Sequence, residues 1–280
     1  MQSPSSSAVK RARLSESRAS GATTLNPLLA MLAGAYEHLL FYALLALFGL
    51  LSLSWSALAA LLYPLLPRRL GEPLGQFAIM AGFRGFLAAM RATGVLRCDL
   101  SALDGLAAAG PLVVAPNHPS LLDAVLVLSR LPNAVCAAKA EIWDNLFLGG
   151  GARLAGFIRN DSAPKLVREA VGQVRRGRPF LIFPEGTRTT AHPLGRFKGG
   201  FALIAKRAGA PVQTVFIETD SPFLSKGWPL FRKPEFPLIY RVRLGDCVAV
   251  EGDVHAVVAG LRGYYQRELT DSMPRRTAPA

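Results

Sequence analysis

A histidine and an aspartate, His118 and Asp123, share the run Pro116-Asn117-His118-Pro119-Ser120-Leu121-Leu122-Asp123. The run follows the β-prone stretch Leu112 to Ala115 and precedes a periodic stretch from Leu121 to Arg130. The histidine therefore falls just past a strand end, and the aspartate falls in the first turn of the next helix. Side chains at this spacing within one helix point to different faces, so the two can meet only if His118 is on the loop and Asp123 reaches back. A carboxylate on one imidazole nitrogen fixes the tautomer and raises the basicity of the other, which is what a base acting on a hydroxyl needs. Ser120 with Asp123 also fits a capping box, in which the carboxylate only closes the helix start. The residues alone leave both readings open.

A second group lies in Phe180-Leu181-Ile182-Phe183-Pro184-Glu185-Gly186-Thr187-Arg188, again a strand that delivers charged groups into a loop. Gly186 permits a tight turn or close approach to an anion, and the Arg188 guanidinium has a fork that matches phosphate oxygens. A plain surface pair between Arg188 and Glu185 is the alternative. Downstream, Arg196-Phe197-Lys198-Gly199-Gly200 precedes a helix whose exposed amides could complete an anion site. A third, weaker element is Gly156-Phe157-Ile158-Arg159, a short apolar run that ends in a cation.

The elements that must position these groups alternate. Strands are expected at Leu112 to Ala115, Ala134 to Ala138, Phe180 to Phe183, Val212 to Ile217 and Leu238 to Val242. Helices are expected near Leu121 to Arg130, Lys165 to Arg176, Gly199 to Ala208 and Val254 to Leu269. This pattern predicts an α/β fold with a largely parallel sheet covered by helices. Ligands of such sheets bind beyond the carboxyl ends of the strands, so both charged loops could line one crevice.

Between Leu39 and Pro67 the chain has no Asp, Glu, Lys or Arg. At about 1.5 Å per residue a helix of this length exceeds the hydrocarbon core of a bilayer. It predicts an N-terminal apolar membrane-anchoring helix, or a hairpin dipping into one leaflet; a cleaved leader would be far too long. The run with only Arg84 and Arg91 that follows suits an interfacial or a core helix. The expected organisation is a disordered basic tail at 1–25, an anchor and interfacial helix at 26–95, the catalytic domain at 96–270 and a flexible tail at 271–280.

Composition sharpens the class. In 280 residues, hydrophobic types make up 51% and charged types 18%, with a net charge of +13 and mean hydropathy of +0.28. Whole-chain disorder is excluded, and an ordinary soluble enzyme does not fit. The basic residues are scattered and carry no recognition helix, zinc-finger spacing or RNA-binding signature, so anionic membrane lipid is the expected partner and nucleic acid is not. Cys98, Cys136 and Cys247 form no Cys-x-x-Cys pair, and His38, His192 and His255 fall in no ligand spacing. No metal and no cofactor are expected. The loop Ser221 to Pro237 mixes Phe223, Trp228 and Phe231 with Lys226, Arg232 and Lys233, as a membrane-interface loop would, and a packed surface loop is the equal alternative.

Taken together, Asn-His-Pro-Ser-Leu-Leu-Asp, Gly-Phe-Ile-Arg and Phe-Pro-Glu-Gly-Thr-Arg, in this order, closely resemble the glycerolipid acyltransferase family typified by 1-acyl-glycerol-3-phosphate acyltransferase. The resemblance covers roughly Gly110 to Thr219. It implies His118 as base and Asp123 as its orienter, and it implies Arg159, Glu185, Gly186, Thr187 and Arg188 as contacts of the acceptor phosphate. Asn117, Ser120, Lys198 and Gly199 support the motifs. The implied reaction moves an acyl group from a thioester, acyl-CoA or acyl carrier protein, to the hydroxyl of a lysophospholipid, most simply lysophosphatidic acid. Acylation of another lyso-lipid, such as a lyso-ornithine lipid, and a catalytically silent membrane scaffold are the rival readings. The expected location is a membrane, the bacterial inner membrane with the catalytic domain on the cytoplasmic face. The family's fourth block normally has two prolines, and Ala210-Pro211-Val212-Gln213 keeps only the first, a departure that bears on donor preference. No Gly-x-Ser-x-Gly elbow offers a nucleophile, which favours direct transfer over an acyl-enzyme.

Overall fold

A computed structural model describes residues 27–191 and 193–272. The basic tail at 1–25, His192 and residues 273–280 lie outside the described residues. The chain divides into two units, Met1–Ala43 and Leu44–Ala280.

In the first unit the described residues form the beginning of α1, Pro27–Leu62. Within it His38 Nδ1 lies 2.8 Å from the Gly34 carbonyl oxygen, one turn earlier. α1 is the one described helix long and apolar enough to cross a membrane, and only 17% of its most apolar window is buried.

In the second unit, the remainder of α1 is followed by a turn and by α2, Arg68–Ala92. The two meet through Phe48, whose ring lies 4.9 Å from that of Phe86 and 6.4 Å from that of Phe83. Then come β1 (Leu96–Asp99), a 3₁₀ turn (Ser101–Ala108), β2 (Val113–Pro116), α3 (Leu122–Leu128), β3 (Val135–Ala138), α4 (Ala140–Trp143), α5 (Gly149–Leu154) and β4 (Ile158–Arg159). α6 (Ala163–Arg175), β5 (Phe180–Leu181), α7 (Gly200–Ala208), β6 (Val212–Thr219), β7 (Leu238–Val248) and α8 (Val254–Ser272) complete the unit. Gly150 shows why α5 can pack on α1: a Cβ there would stand 2.0 Å from the Ser56 carbonyl oxygen, and its amide donates to Ser56 Oγ at 2.8 Å. No side chain fits that approach.

The sheet has seven strands in the order β1-β7-β6-β2-β5-β3-β4. Its one antiparallel pair is β6 with β7; the remaining pairs are parallel. The α/β class and the largely parallel, helix-covered sheet are as expected. All five expected strands form, although β5 ends at Leu181 and β7 runs on to Val248. β1 and β4 are short additions. One face of the sheet buries Val113, Ala115, Phe180 and Val212 against Ala170 and Val174 of α6, Phe201 and Ile204 of α7, and Leu261 and Tyr265 of α8. Each large side chain so buried contributes about 1.5–3 kcal/mol.

β2, β5, β3, β4 and β6 all point the same way, so the loops that follow them emerge at one edge of the sheet. The central strand needs help there. Pro116 has no N–H, and beyond it the Asn117 side chain takes the place of a peptide unit: Nδ2 donates to the Ile217 carbonyl at 2.8 Å and Oδ1 accepts the Ile217 amide at 2.7 Å. Asn117→Ala leaves both backbone groups buried and unpaired. It should cost about 2–4 kcal/mol, read as a lower midpoint in denaturant unfolding; a loss under 0.5 kcal/mol would reject this bracing role.

Candidate functional site

His118 stands on the loop after β2, and Asp123 stands in the first turn of α3. One oxygen of Asp123 serves both roles left open by the sequence. Oδ2 accepts from His118 Nδ1 at 2.9 Å and from the Ser120 amide at 2.8 Å. Ser120 Oγ in turn accepts the Leu122 amide at 3.1 Å, so the helix start is capped and the histidine oriented by the same carboxylate. Asp123 is fully buried. Burial pushes its carboxyl up to about 6, against the pull of His118 and the Ser120 amide, while the charge of Glu185 adds to the rise.

Phe183 completes the seat of the histidine. Its ring stacks on the imidazole with centroids 3.7 Å apart and planes 15° from parallel. With Nδ1 held by Asp123 and one ring face covered, Nε2 is the nitrogen left for a substrate. Sequence reading placed Phe183 in a strand and gave it no role. Its position two residues before Glu185, where β5 leaves the sheet, was the available signal.

Glu185 faces inward. It is 3% exposed and accepts from the His118 amide at 3.0 Å, Thr189 Oγ1 at 2.8 Å and the Gly195 amide at 2.8 Å. The Thr189 amide returns a bond to the His118 carbonyl at 2.7 Å. A carboxylate so occupied ties three loops together around the histidine. Arg188 also turns to backbone, donating from Nη1 to the carbonyls of Leu224 at 2.9 Å and Ser225 at 2.7 Å. The same segment receives Ser120 Oγ on the Phe223 carbonyl at 3.0 Å and the Leu121 amide on the Leu224 carbonyl at 3.1 Å. These bonds hold Leu224 at φ 56, a left-handed conformation that costs a non-glycine residue about 1–3 kcal/mol.

Gly186 has φ 67, and a Cβ there would stand 2.9 Å from Cδ, Cε and Nζ of Lys198. The lysine stem thus lies against the glycine, and its amide donates to the Pro184 carbonyl at 2.7 Å. Thr187 is half-buried on the same loop, and Gly199 caps α7. Arg159 is further off. It ends β4, the edge strand, separated from β2 by β5 and β3, roughly 14 Å at the usual strand spacing. Its Nη1 lies 3.3 Å from Asp144, and its Nε lies 2.7 Å from Asp161 without hydrogen-bonding alignment. The structure therefore joins His118, Asp123, Ser120 and Glu185 directly, sets Gly186 with Lys198, and engages Arg159 and Arg188 separately.

Lys139, unremarked in the sequence, directly follows β3 at the same sheet edge and is exposed. Among the described residues neither Lys139 nor Lys198 has a carboxylate within ion-pair distance. No group of three metal-binding side chains exists among them either. Burial pushes the Cys136 thiol up to about 12, so it is no nucleophile at neutral pH.

A family model described as Acyltransferase matches residues 97–218. The 1-acyl-sn-glycerol-3-phosphate acyltransferase of Pseudomonas aeruginosa is 24% identical over 245 residues, 85% of this chain and 91% of that protein. Human 1-acyl-sn-glycerol-3-phosphate acyltransferase beta is 31% identical over 207 residues, 70% of each chain. The lyso-ornithine lipid O-acyltransferase of P. aeruginosa is 37% identical over 119 residues, 41% of this chain and 46% of that protein. In fold, the crystal structure of the 1-acyl-sn-glycerophosphate (LPA) acyltransferase of Thermotoga maritima superposes with a TM-score of 0.65 at 18% identity, covering 89% of this chain and 99% of that one. With a histidine seated on a buried aspartate at the edge of this sheet, and with 31% identity over 70% of its length to the human enzyme, the chain belongs to the glycerolipid acyltransferase family.

Proposed function

We propose that the protein transfers a fatty acyl group from an acyl thioester, on coenzyme A or acyl carrier protein, to the free hydroxyl of lysophosphatidic acid, forming phosphatidic acid. The His118–Asp123 contact of 2.9 Å carries the reading. Nε2 of His118 takes the proton of the lyso-lipid hydroxyl as that oxygen attacks the thioester carbonyl. The tetrahedral intermediate then expels the thiolate, which recovers the proton. The thioester is already activated, so no covalent acyl-enzyme is needed, and the intact dyad speaks against a silent scaffold.

The acceptor phosphate is assigned to the loops after β5, β3 and β4: Gly186, Thr187 and Arg188, the ammonium groups of Lys198 and Lys139, and Arg159 once it leaves its carboxylates. Glu185 shapes this loop from beneath. Leu121, on the His118–Asp123 loop, leaves 47% of its surface exposed, which supports an acceptor that arrives from lipid. α1 as anchor and the basic excess on anionic head groups support work at a membrane; the proposed location is the bacterial inner membrane, with the catalytic unit on its cytoplasmic face.

The shared identity with a lyso-ornithine lipid acyltransferase favours one second reading, that lipid as acceptor. Presenting labelled acyl thioester and a panel of lyso-lipids to the purified protein in mixed micelles separates them. Lysophosphatidic acid should be the best acceptor; faster acylation of lyso-ornithine lipid selects the second reading, and no transfer to any member removes both.

Arg188→Ala frees the 223–225 segment and deletes a cation from the phosphate loop. The apparent KM for lysophosphatidic acid should rise about 10- to 100-fold, the equivalent of one charge-assisted hydrogen bond, while the thioester KM stays unchanged. Lysine should restore only part, since its point charge lacks the planar guanidinium, one nitrogen of which bonds both carbonyls. A loss confined to thioester affinity would move Arg188 to the donor side.

A further inference from the structure

Two buried polar atoms near the dyad lack a hydrogen-bond partner: Asp123 Oδ1 and the Tyr240 hydroxyl. Tyr240 lies on β7, 1% exposed, with Thr219 of β6 opposite it in the ladder. Residues opposite each other in an antiparallel pair project from the same face, which brings the phenol beside the Thr219 hydroxyl. Its other neighbours are the Ser120 hydroxyl and, through space, the Asp123 carboxylate.

The hydrogen bonds of its neighbours limit where the phenol can point. Ser120 Oγ has committed its proton to the Phe223 carbonyl and already accepts the Leu122 amide. Thr219 Oγ1 accepts the Ser221 amide at 3.2 Å and keeps its own proton to give. Each of these hydroxyls keeps a free lone pair, yet the phenol is hydrogen-bonded to neither, so its proton is unspent. The one neighbouring anion with an unused acceptor is Asp123 Oδ1. Burial and the Asp123 charge also raise the phenol's pKa, so it keeps its proton at every working pH.

We propose that Tyr240 is a positioning residue for acyl transfer: its hydroxyl donates through one bound water to Asp123 Oδ1 and so holds that carboxylate ionised behind His118. The proposal rests on the transfer reading above. The groups that face Asp123 then act in opposite senses. His118, the Ser120 amide and Tyr240 favour its charge, whereas burial and Glu185 oppose it. Buried donors and acceptors left unpaired are costly, and this assignment satisfies both at once.

Tyr240→Phe keeps the ring and deletes the donor. With lysophosphatidic acid as acceptor, the acid limb of kcat/KM should move up by about 0.5–1 pH unit, because the carboxylate is protonated more readily. At pH 8 kcat should fall about tenfold with both KM values unchanged. A hydroxyl with only a structural role leaves the limb in place, and that result overturns the proposal. If the phenylalanine variant fails to fold, 3-fluorotyrosine installed at position 240, a stronger donor of nearly the same shape, should move the limb down; an unmoved limb overturns the proposal equally. Wild-type protein without transfer activity removes the acyl-transfer reading and this proposal together, whereas an active wild type with the same profile as Tyr240→Phe removes this proposal alone.

Discussion

Replacing His118 by alanine should lower acyl transfer at least 100-fold, and as much as roughly 10⁴-fold, with folding and membrane association retained. The imidazole is the one base in the site with a free nitrogen, since Glu185 spends its carboxylate on the His118 amide, Thr189 and Gly195. Nothing structural depends on the ring beyond its stacking on Phe183 and its bond to Asp123. Thermal melts should therefore show only the modest loss of those two contacts and sedimentation with membranes should match wild type, while labelled product disappears. A variant that retains a tenth of the wild-type rate would remove His118 from the reaction.

Asp123→Asn should separate catalysis from stability. The amide cannot supply the charge that holds the imidazole, so the rate should fall about 100- to 1,000-fold. Stability should move the other way. The folded carboxyl titrates near pH 6 because burial dominates, against about 3.9 in the unfolded chain. The folded state thus binds the proton more tightly, and the ionised carboxylate costs stability above pH 6, a cost relieved as the pH falls toward 4. The asparagine variant, which carries no charge, should be up to about 3 kcal/mol more stable than wild type at pH 8 and no more stable at pH 4. The same titration places an acid limb near pH 6 in the wild-type rate profile. Loss of stability at pH 8 with activity per folded molecule preserved would leave Asp123 as a helix cap alone.

The dyad was legible in the sequence because its geometry is local. A strand end, a loop and a helix start within eight residues leave His118 and Asp123 few ways to meet, and the capping alternative proved to be the same contact. The apolar run to Pro67 and the alternation beyond Gly110 likewise fixed the class of the fold, since burial on both faces of a parallel sheet leaves a readable pattern. The roles of Glu185 and Arg188 were not legible. Each is a charged residue on a glycine-containing loop, and nothing local tells a carboxylate that braces backbone amides from one that faces a ligand. Their partners, Gly195 and the Leu224 and Ser225 carbonyls, come from distant segments. Phe183, just past β5, and Tyr240, on β7, were missed for the same reason, as apolar-looking positions whose contacts come from distant segments. β1, Leu96–Asp99, carries charged residues at two of its four positions, and β4 is only Ile158–Arg159, so neither shows the apolar run that marked the buried strands.

Release of free thiol from the acyl thioester, followed with and without lysophosphatidic acid, tests direct transfer by a histidine base most closely. Without acceptor, wild-type enzyme should release no thiol above the rate of spontaneous hydrolysis; on addition of the lyso-lipid, thiol and phosphatidic acid should appear together in equal amounts. A burst of one thiol per enzyme in the absence of acceptor would mean that an acyl-enzyme forms, and it would contradict the account.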